Sequence, residues 1–396
     1  MKTTNERVIF YIIVIAQFCG TSLWFAGNAV LPQLQAMFDW PQSHLGYLTS
    51  AIQAGFITGT FCFALLGISD RVSPARLFLI SSIIASAANA SAMLALSSFP
   101  LVIASRFTTG FFLAGIYPVG MKIASDWRRE GLGMWLGGLV GALVLGTSFP
   151  HLLKQLPQLS NPYSVLAIVS VLALAGGVFL YATLTDGPYR KFASRFSFRA
   201  VRQAFASGAF RRAAFGYFGH MWELYAMWAF VPAFLMQYKK FQGASYSVPA
   251  MAFMVIGSGG IGCITGGQIS KRSGSEKVAR YMLFSSGICC ALSAAAFQLP
   301  VWVFIPFMMF WGFTIAGDSP QFSALVARHA QAEVRGSAIT MITCIGFFIS
   351  ILSIQLLNYL QIFFAAEYLF LFLIPGPVLG LLAMREQRTS HYIPKT

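Results

Sequence analysis

Near the middle of the chain runs the stretch Gly219-His220-Met221-Trp222-Glu223-Leu224-Tyr225-Ala226-Met227-Trp228-Ala229-Phe230-Val231-Pro232. Two arginines, Arg211 and Arg212, precede it, and two lysines, Lys239 and Lys240, follow it. At about 1.5 Å per residue, a helix between these basic pairs is on the order of 40 Å long, which is enough to cross a bilayer with its headgroups. The stretch therefore predicts a membrane-spanning helix with a carboxylate near its middle.

The position of Glu223 in this helix points to a function. A carboxylate at mid-membrane is costly without a partner, and such residues usually face a wet cavity or another buried polar group. Gly216, His220 and Met227 lie at helical spacing from Glu223 and are expected to share its face, which predicts a cavity-lining surface. The alternative is a structural pair in which His220 contacts Glu223 one turn away.

The composition of the whole chain is that of a membrane protein. Of its 396 residues, 57% are hydrophobic and 10% are charged, whereas soluble domains carry about a quarter of charged residues. The six cysteines fall inside apolar stretches without zinc or redox spacing, so they predict neither disulfides nor a metal site. The sequence contains no nucleotide-binding loop, catalytic triad or zinc motif. We therefore expect no enzyme activity and no cofactor.

The basic residues indicate which ends of the helices face the cytoplasm. Apolar runs divide the chain into about twelve helices. With the N-terminus inside, most of the 27 Lys and Arg residues fall in cytoplasmic segments, as the positive-inside rule requires. This predicts an integral protein of the bacterial inner (plasma) membrane with both termini in the cytoplasm. The net charge of +15 is then explained by contacts with anionic membrane lipids, and no nucleic acid is expected as a partner.

The two halves of the sequence resemble each other at an offset of about 200 residues. Ala114-Gly115-Ile116-Tyr117-Pro118 matches Ala316-Gly317-Asp318-Ser319-Pro320, and Phe25-Ala26 matches Tyr225-Ala226. Small residues and prolines are common in membrane helices, but agreement in both order and offset indicates a duplication. The sequence therefore predicts an all-α membrane protein with twelve transmembrane helices in two pseudo-symmetric six-helix halves.

The duplication also predicts where the halves begin and end. The N-terminal half comprises residues 1–185 and the C-terminal half comprises residues 211–396. Residues 186–210 form the longest polar connection and are predicted to be a cytoplasmic linker. Its interleaved basic and Phe residues favour an amphipathic helix on the inner leaflet, and a disordered tether is the alternative.

Twelve helices in two similar halves resemble the major facilitator superfamily, and the resemblance covers nearly the whole chain. Arg106-Phe107-Thr108-Thr109-Gly110 is similar to the superfamily's fourth-helix pattern of Arg, three residues, Gly. The loop after the second helix keeps Asp70 and Arg71 of the family's loop motif, and the matching loop in the second half keeps Arg272, while some of the motif glycines are displaced or replaced. The resemblance implies the major facilitator fold and a gating role for these three residues.

Two further phrases resemble a bacterial branch near the nitrate/nitrite and cyanate porters. They are Trp24-Phe25-Ala26-Gly27-Asn28 and Gly146-Thr147-Ser148-Phe149-Pro150-His151. Nitrate porters carry paired arginines in the second and eighth helices. This sequence has no arginine between residues 44 and 70 or between residues 246 and 270, so we do not expect nitrate as the substrate.

Three ionisable residues lie well inside predicted helices: Arg106, Glu223 and Asp318. In a duplicated fold the first, fourth, seventh and tenth helices enclose a midplane cavity. All three residues are therefore predicted to face it and to take part in proton coupling, with Glu223 as the first candidate. For Asp318, the alternative is that Ser319-Pro320 breaks the helix and the acid satisfies freed amides or pairs with a basic residue.

Candidate substrate contacts are the polar and aromatic side chains of the same helices. Asn28 and Gln53 are placed to hydrogen bond to cargo, and the alternative is that they join helices to each other. The remaining substrate-binding candidates are Trp24, Tyr117, His220, Met227 and Trp311.

The leading hypothesis is a monomeric secondary active transporter that moves a small polar or anionic organic solute by alternating access, coupled to protons. One alternative is a divalent metal ion transporter with His220, Glu223 and Asp318 as ligands, because imidazole and carboxylate suit transition metals. Another is a non-transporting membrane scaffold or receptor. Uptake and efflux use the same fold and are not distinguished by the sequence.

Overall fold

A computed structural model describes residues 6–128, 132–190, 196–331 and 335–385, apart from the side chains of Ser69, Asp70 and Leu132. The described residues form twelve long helical units and contain no β-strand. In chain order the units are α1 (Glu6–Phe38), α2 (His44–Leu66), α3 (Pro74–Ala95), α4 (Phe99–Trp127), α5 (Leu132–Gln155), α6 (Pro162–Thr183), α7 (Gly208–Gln242), α8 (Val248–Ser273), α9 (Ser275–Ala296), α10 (Val301–His329), α11 (Arg335–Leu360) and α12 (Ala366–Ala383).

Among these described helices, all except α7 are long and apolar enough to span a membrane. The α7 helix is the longest, with 35 residues. Its apolar run also contains tyrosines, tryptophans, His220 and Glu223. These residues lower the mean hydropathy of the helix. A polytopic all-α membrane protein is confirmed.

Helices α4 and α10 are broken at matching places. In α4, the segment Phe99–Leu113 ends before Tyr117–Trp127, and in α10 the segment Val301–Gly317 ends before Ser319–His329. Each second segment has a proline in its first turn. Proline has no N–H to continue the helix and its ring clashes with the preceding turn, so the duplicated small-residue-and-proline motif produces both breaks.

Glycines bring the same pairs of helices close together in both halves. A Cβ added to Gly110 on α4 would overlap the carbonyl oxygen of Ile52 on α2, and one added to Gly312 on α10 would overlap that of Val255 on α8. These helices approach backbone to backbone because neither glycine has a side chain. The α2–α4 and α8–α10 contacts are therefore copies of one packing unit.

The remaining contacts follow the same symmetry. The α1 helix packs on α5 and α6, and α7 packs on α11 and α12. The halves meet where α2 contacts α11 and where α5 contacts α8. Polar side chains join the first of these interfaces: Gln355 Nε2 donates to Ser50 Oγ over 2.7 Å, and Ser350 Oγ donates to Gln53 Oε1 over 3.0 Å.

The predicted linker contains a short helix, Phe198–Ala206. Its N-terminus is capped by Ser197, and its buried residues Ala200, Val201 and Ala204 contact α11 and α7. This part of the linker is therefore helical. Residues 191–195 of the predicted linker lie outside the described residues. The α7 helix begins at Gly208, slightly before the predicted end of the linker.

Candidate transport pathway

A first cavity, here called the Lys154 cavity, lies between the two halves. It has a volume of about 690 Å³. Its lining comes from the second segment of α1 (Ala26–Phe38), the later parts of α5 and α7, the start of α8 and the start of α12. Its ionisable lining residues are His151 and Lys154 on α5, Lys240 on α7 and Glu367 on α12. Basic side chains therefore outnumber acidic ones among the described residues of this wall.

A second cavity, here called the Tyr117 cavity, lies toward the opposite end of α5 and α7. Its volume is about 480 Å³, and it is lined by the second segments of α4 and α10 and by the early parts of α5, α7 and α11. The described lining contains Lys122 and Arg335 and no acidic residue. Basic side chains thus predominate in the described linings of both cavities, although Lys122 also lies 4.0 Å from the carboxylate of Asp126.

An aromatic layer separates the two cavities. Trp24 from the N-terminal half stacks on Tyr225 from the C-terminal half, with ring centroids 5.8 Å apart and an interplanar angle of 22°. Phe347 lies 5.6 Å from Trp24 and 4.6 Å from Phe56, again joining the two halves. Together with Phe25 and Trp228, which meet edge to face, these side chains are buried. They close the path between the cavities in this conformation.

Arg106 on α4 is bound entirely to protein atoms in the N-terminal half. Its Nη1 donates to Asn89 Oδ1 on α3 over 2.5 Å, and its Nη2 donates to the carbonyl oxygens of Leu23 and Trp24 over 2.6 and 3.0 Å. Those carbonyls lie in the turn that interrupts α1 between Thr21 and Ala26. The guanidinium thus stabilises the break in α1, which places Trp24 in the aromatic layer.

Glu223 on α7 is fully buried within the C-terminal half. Its Oε1 accepts from Trp311 Nε1 over 2.7 Å and from Cys290 Sγ over 3.2 Å, and its Oε2 accepts from Ser286 Oγ over 2.9 Å. Three neutral donors from α9 and α10 therefore satisfy this carboxyl group. A carboxylate with several donors is far less costly in a membrane than an unpartnered one.

His220 lies one turn before Glu223 and contacts a different acid. Its Nδ1 is 2.8 Å from Oδ1 of Asp318, and both side chains are buried. Asp318 is the residue at the break of α10, and its side chain makes no capping hydrogen bond to the following helix. Contact with a basic residue, one of the alternatives considered for Asp318, is therefore present. Asp318 Oδ2 and His220 Nε2 have no hydrogen-bond partner among the described residues.

The predicted cavity-lining face of α7, with Gly216, His220, Glu223 and Met227, lies apart from both of these cavities. None of them lines either cavity, and a Cβ on Gly216 would meet Phe322 and Met384 inside the C-terminal half. The polar partners of His220 and Glu223 on this face come from α9 and α10. The side of α7 that lines the Tyr117 cavity instead carries Tyr217, Met221, Leu224, Tyr225 and Trp228.

Two interpretations of His220 and Glu223 also need correction. The alternative of a structural pair between them is not observed, since His220 contacts Asp318 and Glu223 contacts α9 and α10. The metal alternative required His220, Glu223 and Asp318 around one ion. In the part of the chain that the structure describes, no group of three or more His, Cys, Asp or Glu residues is arranged to hold a metal.

The substrate-binding candidates fall into three places. Asn28 lines the Lys154 cavity and donates to Thr49 Oγ1 over 2.6 Å, while Tyr117 lines the other cavity. Trp24 and Gln53 are buried where the halves meet. The other candidates, His220, Met227 and Trp311, are packed inside the C-terminal half.

The gating candidates lie near the ends of α2 and α8: Asp70 and Arg71 are in the connection between α2 and α3, and Arg272 is in the last turn of α8. Arg71 and Arg272 are exposed there. The side chain of Asp70 lies outside the described residues, and the gating role of all three residues stays a prediction.

Comparison with known proteins identifies the family. The model of the Major Facilitator Superfamily matches residues 13–354, so the chain belongs to that superfamily. The structure is similar to that of the human organic anion transporter MFSD10 (TETRAN), with a TM-score of 0.72 and 14% identity over 97% of this chain and all of that one. A bacterial homolog of the human lysosomal transporter Spinster, in an inward-facing and unoccupied conformation, gives a TM-score of 0.67 and 14% identity over 97% of this chain and 95% of the other.

These likenesses confirm the major facilitator fold. At this level of identity they establish the fold alone and do not identify the substrate. A search of the curated proteins finds no match to this sequence. By its family the chain is a secondary transporter and an integral membrane protein.

Proposed function

We propose that this transporter moves a small anionic or polar organic solute across the bacterial inner membrane by alternating access, driven by protons. The observation that carries the proposal is the charge of the two cavities. Lys154 and Lys240 line one, Lys122 and Arg335 line the other, and Glu367 is the one acidic residue among their described linings. Clefts lined by one sign of charge concentrate ligands of the opposite sign.

The aromatic layer supports alternating access. Trp24 and Phe56 come from one half and Tyr225 and Phe347 from the other, so a rocking motion of the halves would move the rings and open the layer to one cavity at a time. Asn28 and Tyr117 are the cargo contacts on either side of this layer, and Trp24 and Gln53 would meet cargo as it passes. The MFSD10 structure is that of an organic anion transporter, which is in keeping with an anionic cargo here.

Proton coupling is proposed for the C-terminal half, where Glu223 and Asp318 are buried. Moving either acid in its charged form through a low-dielectric environment would be prohibitive, so a proton must accompany the change of facing. Arg106 has a supporting role, because it holds the α1 break against α3 and α4. We place both termini and the linker helix in the cytoplasm, with Asp70, Arg71 and Arg272 at the cytoplasmic gate.

Transport by purified protein in liposomes tests the proposal. With an inwardly or outwardly directed pH gradient, we expect accumulation of one or more radiolabelled organic acids from a panel that also contains sugars, amino acids and manganese. Accumulation should collapse when a protonophore is added. Accumulation of only neutral or cationic compounds would contradict an anionic cargo, and accumulation that survives the protonophore would contradict proton coupling.

A further inference from the structure

One wall of the Lys154 cavity carries two nitrogen groups with spare donor or acceptor capacity. His151 and Lys154 are three residues apart on α5 and therefore lie on the same side of that helix. Both line the cavity beside Asn28 of α1. The cavity lining thus includes an ammonium, an imidazole and a carboxamide.

Lys154 is a cation without an acidic partner. Its Nζ donates to the carbonyl oxygen of Ala29 over 2.9 Å, and no carboxylate lies within ion-pair distance of it among the described residues. An ammonium has three donors, so this bond leaves two of them unused. A partly buried charge that lacks a counter-ion is costly, and an anionic ligand is the simplest group that would offset the cost.

His151 adds a second unsatisfied group beside the ammonium. Only 2% of its surface is exposed, and its Nε2 has no hydrogen-bond partner among the described residues. A buried polar atom without a partner is uncommon unless a ligand or water completes it. On the same wall, Asn28 uses one amide hydrogen for Thr49 Oγ1 and keeps the other.

The cavity also has an aromatic part to its wall. Phe230, Phe234 and Phe297 line it, and Phe234 and Phe297 meet edge to face with centroids 5.1 Å apart. Apolar and aromatic walls bind the body of a ligand, while a few placed polar groups fix its orientation. With a volume of about 690 Å³, the cavity accommodates a bicyclic compound.

We propose that His151 and Lys154 form an anion subsite that binds the carboxylate of an organic acid, with the aromatic wall holding an apolar or aromatic body. The inference rests on the proposed transport of an anionic solute and narrows it to carboxylates with an apolar body. Lys154 supplies the charge and His151 supplies a directional hydrogen bond. Asn28 is a third, weaker contact at the same end of the ligand.

Binding of 2-naphthoate and of its uncharged analogue 2-naphthamide to the full-length protein in detergent tests the subsite. We expect the wild type to bind naphthoate at least tenfold more tightly than naphthamide. Lys154→Gln should remove this preference and leave naphthamide binding unchanged, which also shows that the variant is folded. Lys154→Arg should keep the preference, and His151→Asn should weaken naphthoate binding severalfold.

Lys240→Gln is the matched control, because it removes the same charge from the same cavity at an exposed position. It should change the preference by less than twofold. If Lys154→Gln keeps the wild-type preference for naphthoate, or if both lysine variants reduce it equally, the subsite is wrong while anion transport stands. If the wild type binds both compounds equally or neither, the carboxylate subsite is wrong, and the liposome panel then decides separately whether any organic acid is transported.

Discussion

In the N-terminal half, α1, α3 and α4 meet around Arg106, whereas in the C-terminal half the matching helices α7, α9 and α10 meet around Glu223. The offset between the halves aligns Asn89, which binds Arg106, with Cys290, which binds Glu223. It also aligns Leu23, whose carbonyl accepts from Arg106, with Glu223 itself. The same junction therefore holds a cation in one half and an acid in the other.

The broken helices differ in the same way. In the N-terminal half, a Cβ on Gly20 would press against Ile116 at the break of α4. The offset aligns these residues with His220 and Asp318, which are 2.8 Å apart at the break of α10. One break is thus held by apolar packing and the other by an ionisable pair.

The duplication has kept the packing between helices, whereas the buried charged groups have diverged. The glycine contacts between α2 and α4 recur between α8 and α10, so the packing framework is common to both halves. The buried acids lie only in the C-terminal half among the described residues of these two junctions. We therefore expect a charge-dependent change of conformation at the C-terminal junction and no such change at the N-terminal junction.

The largest effect is expected from replacing Arg106 with methionine, the residue at the matching position 308 of α10. Asn89 and the carbonyls of Leu23 and Trp24 would lose their shared donor in a buried place. We expect the free energy of unfolding in mixed micelles to fall by about 3–5 kcal/mol, because each buried acceptor left without a donor costs about 1–3 kcal/mol.

Arg106→Lys is the control for this variant. Lysine keeps the charge but presents it as a single point, so it cannot bind three separated acceptors in the fork geometry of arginine. Its loss of stability should lie between zero and that of Arg106→Met. If the Arg106→Met variant unfolds at the same denaturant concentration as the wild type, Arg106 does not stabilise the N-terminal junction.

The framework should respond equally in the two halves. Gly110→Ala and Gly312→Ala each place a Cβ against a carbonyl oxygen of the facing helix, Ile52 in one case and Val255 in the other. Each should lower the free energy of unfolding by about 1–3 kcal/mol, as overpacking does. Gly133→Ala, which meets nothing within 4 Å, is the control. A clear difference between the two variants would show that the halves are not equivalent in packing.

The framework is also the part of the molecule that the sequence predicts well. Hydropathy predicts the helices because a segment that crosses the membrane must satisfy its backbone hydrogen bonds internally. Basic residues mark the cytoplasmic ends of these helices. Proline after small residues fixes the breaks of α4 and α10, which is why Ala114–Pro118 and Ala316–Pro320 could be matched before their geometry was known.

The side-chain contacts of the site were harder to predict. Helical spacing shows that His220 and Glu223 share a face of α7 but not which neighbouring helix covers that face. Their partners, Asp318, Ser286 and Cys290, lie far away in sequence, and serine and cysteine are too common in membrane helices to stand out. The offset of about 200 residues is the signal in the sequence that relates the two junctions, because it aligns Asn89 with Cys290 and Leu23 with Glu223.

A smaller effect is expected at the ionisable break. His220→Gln and Asp318→Asn should each lower the free energy of unfolding by about 1–3 kcal/mol, because each leaves a buried polar group without its partner. The double variant should cost less than the two single losses together, with an interaction energy of about 1–2 kcal/mol in a double-mutant cycle. Strict additivity of the two single changes would show that the 2.8 Å contact does not contribute to stability.

Glu223→Gln should have the smallest effect on stability and a decisive effect on coupling. Glutamine has nearly the volume of glutamate, its oxygen can accept from Trp311, and its amide can donate to Ser286 Oγ, which still donates to the carbonyl of Leu283. The free energy of unfolding should therefore change by no more than about 1 kcal/mol.

Liposomes with the Glu223→Gln variant should exchange cargo down its own gradient but fail to accumulate it under a pH gradient, because the side chain no longer takes up a proton. Accumulation at the wild-type rate and with the wild-type pH profile would make Glu223 a structural acid, the C-terminal counterpart of Arg106. The proton site would then be sought at Asp318, whose neighbour Ser319 lines the Tyr117 cavity.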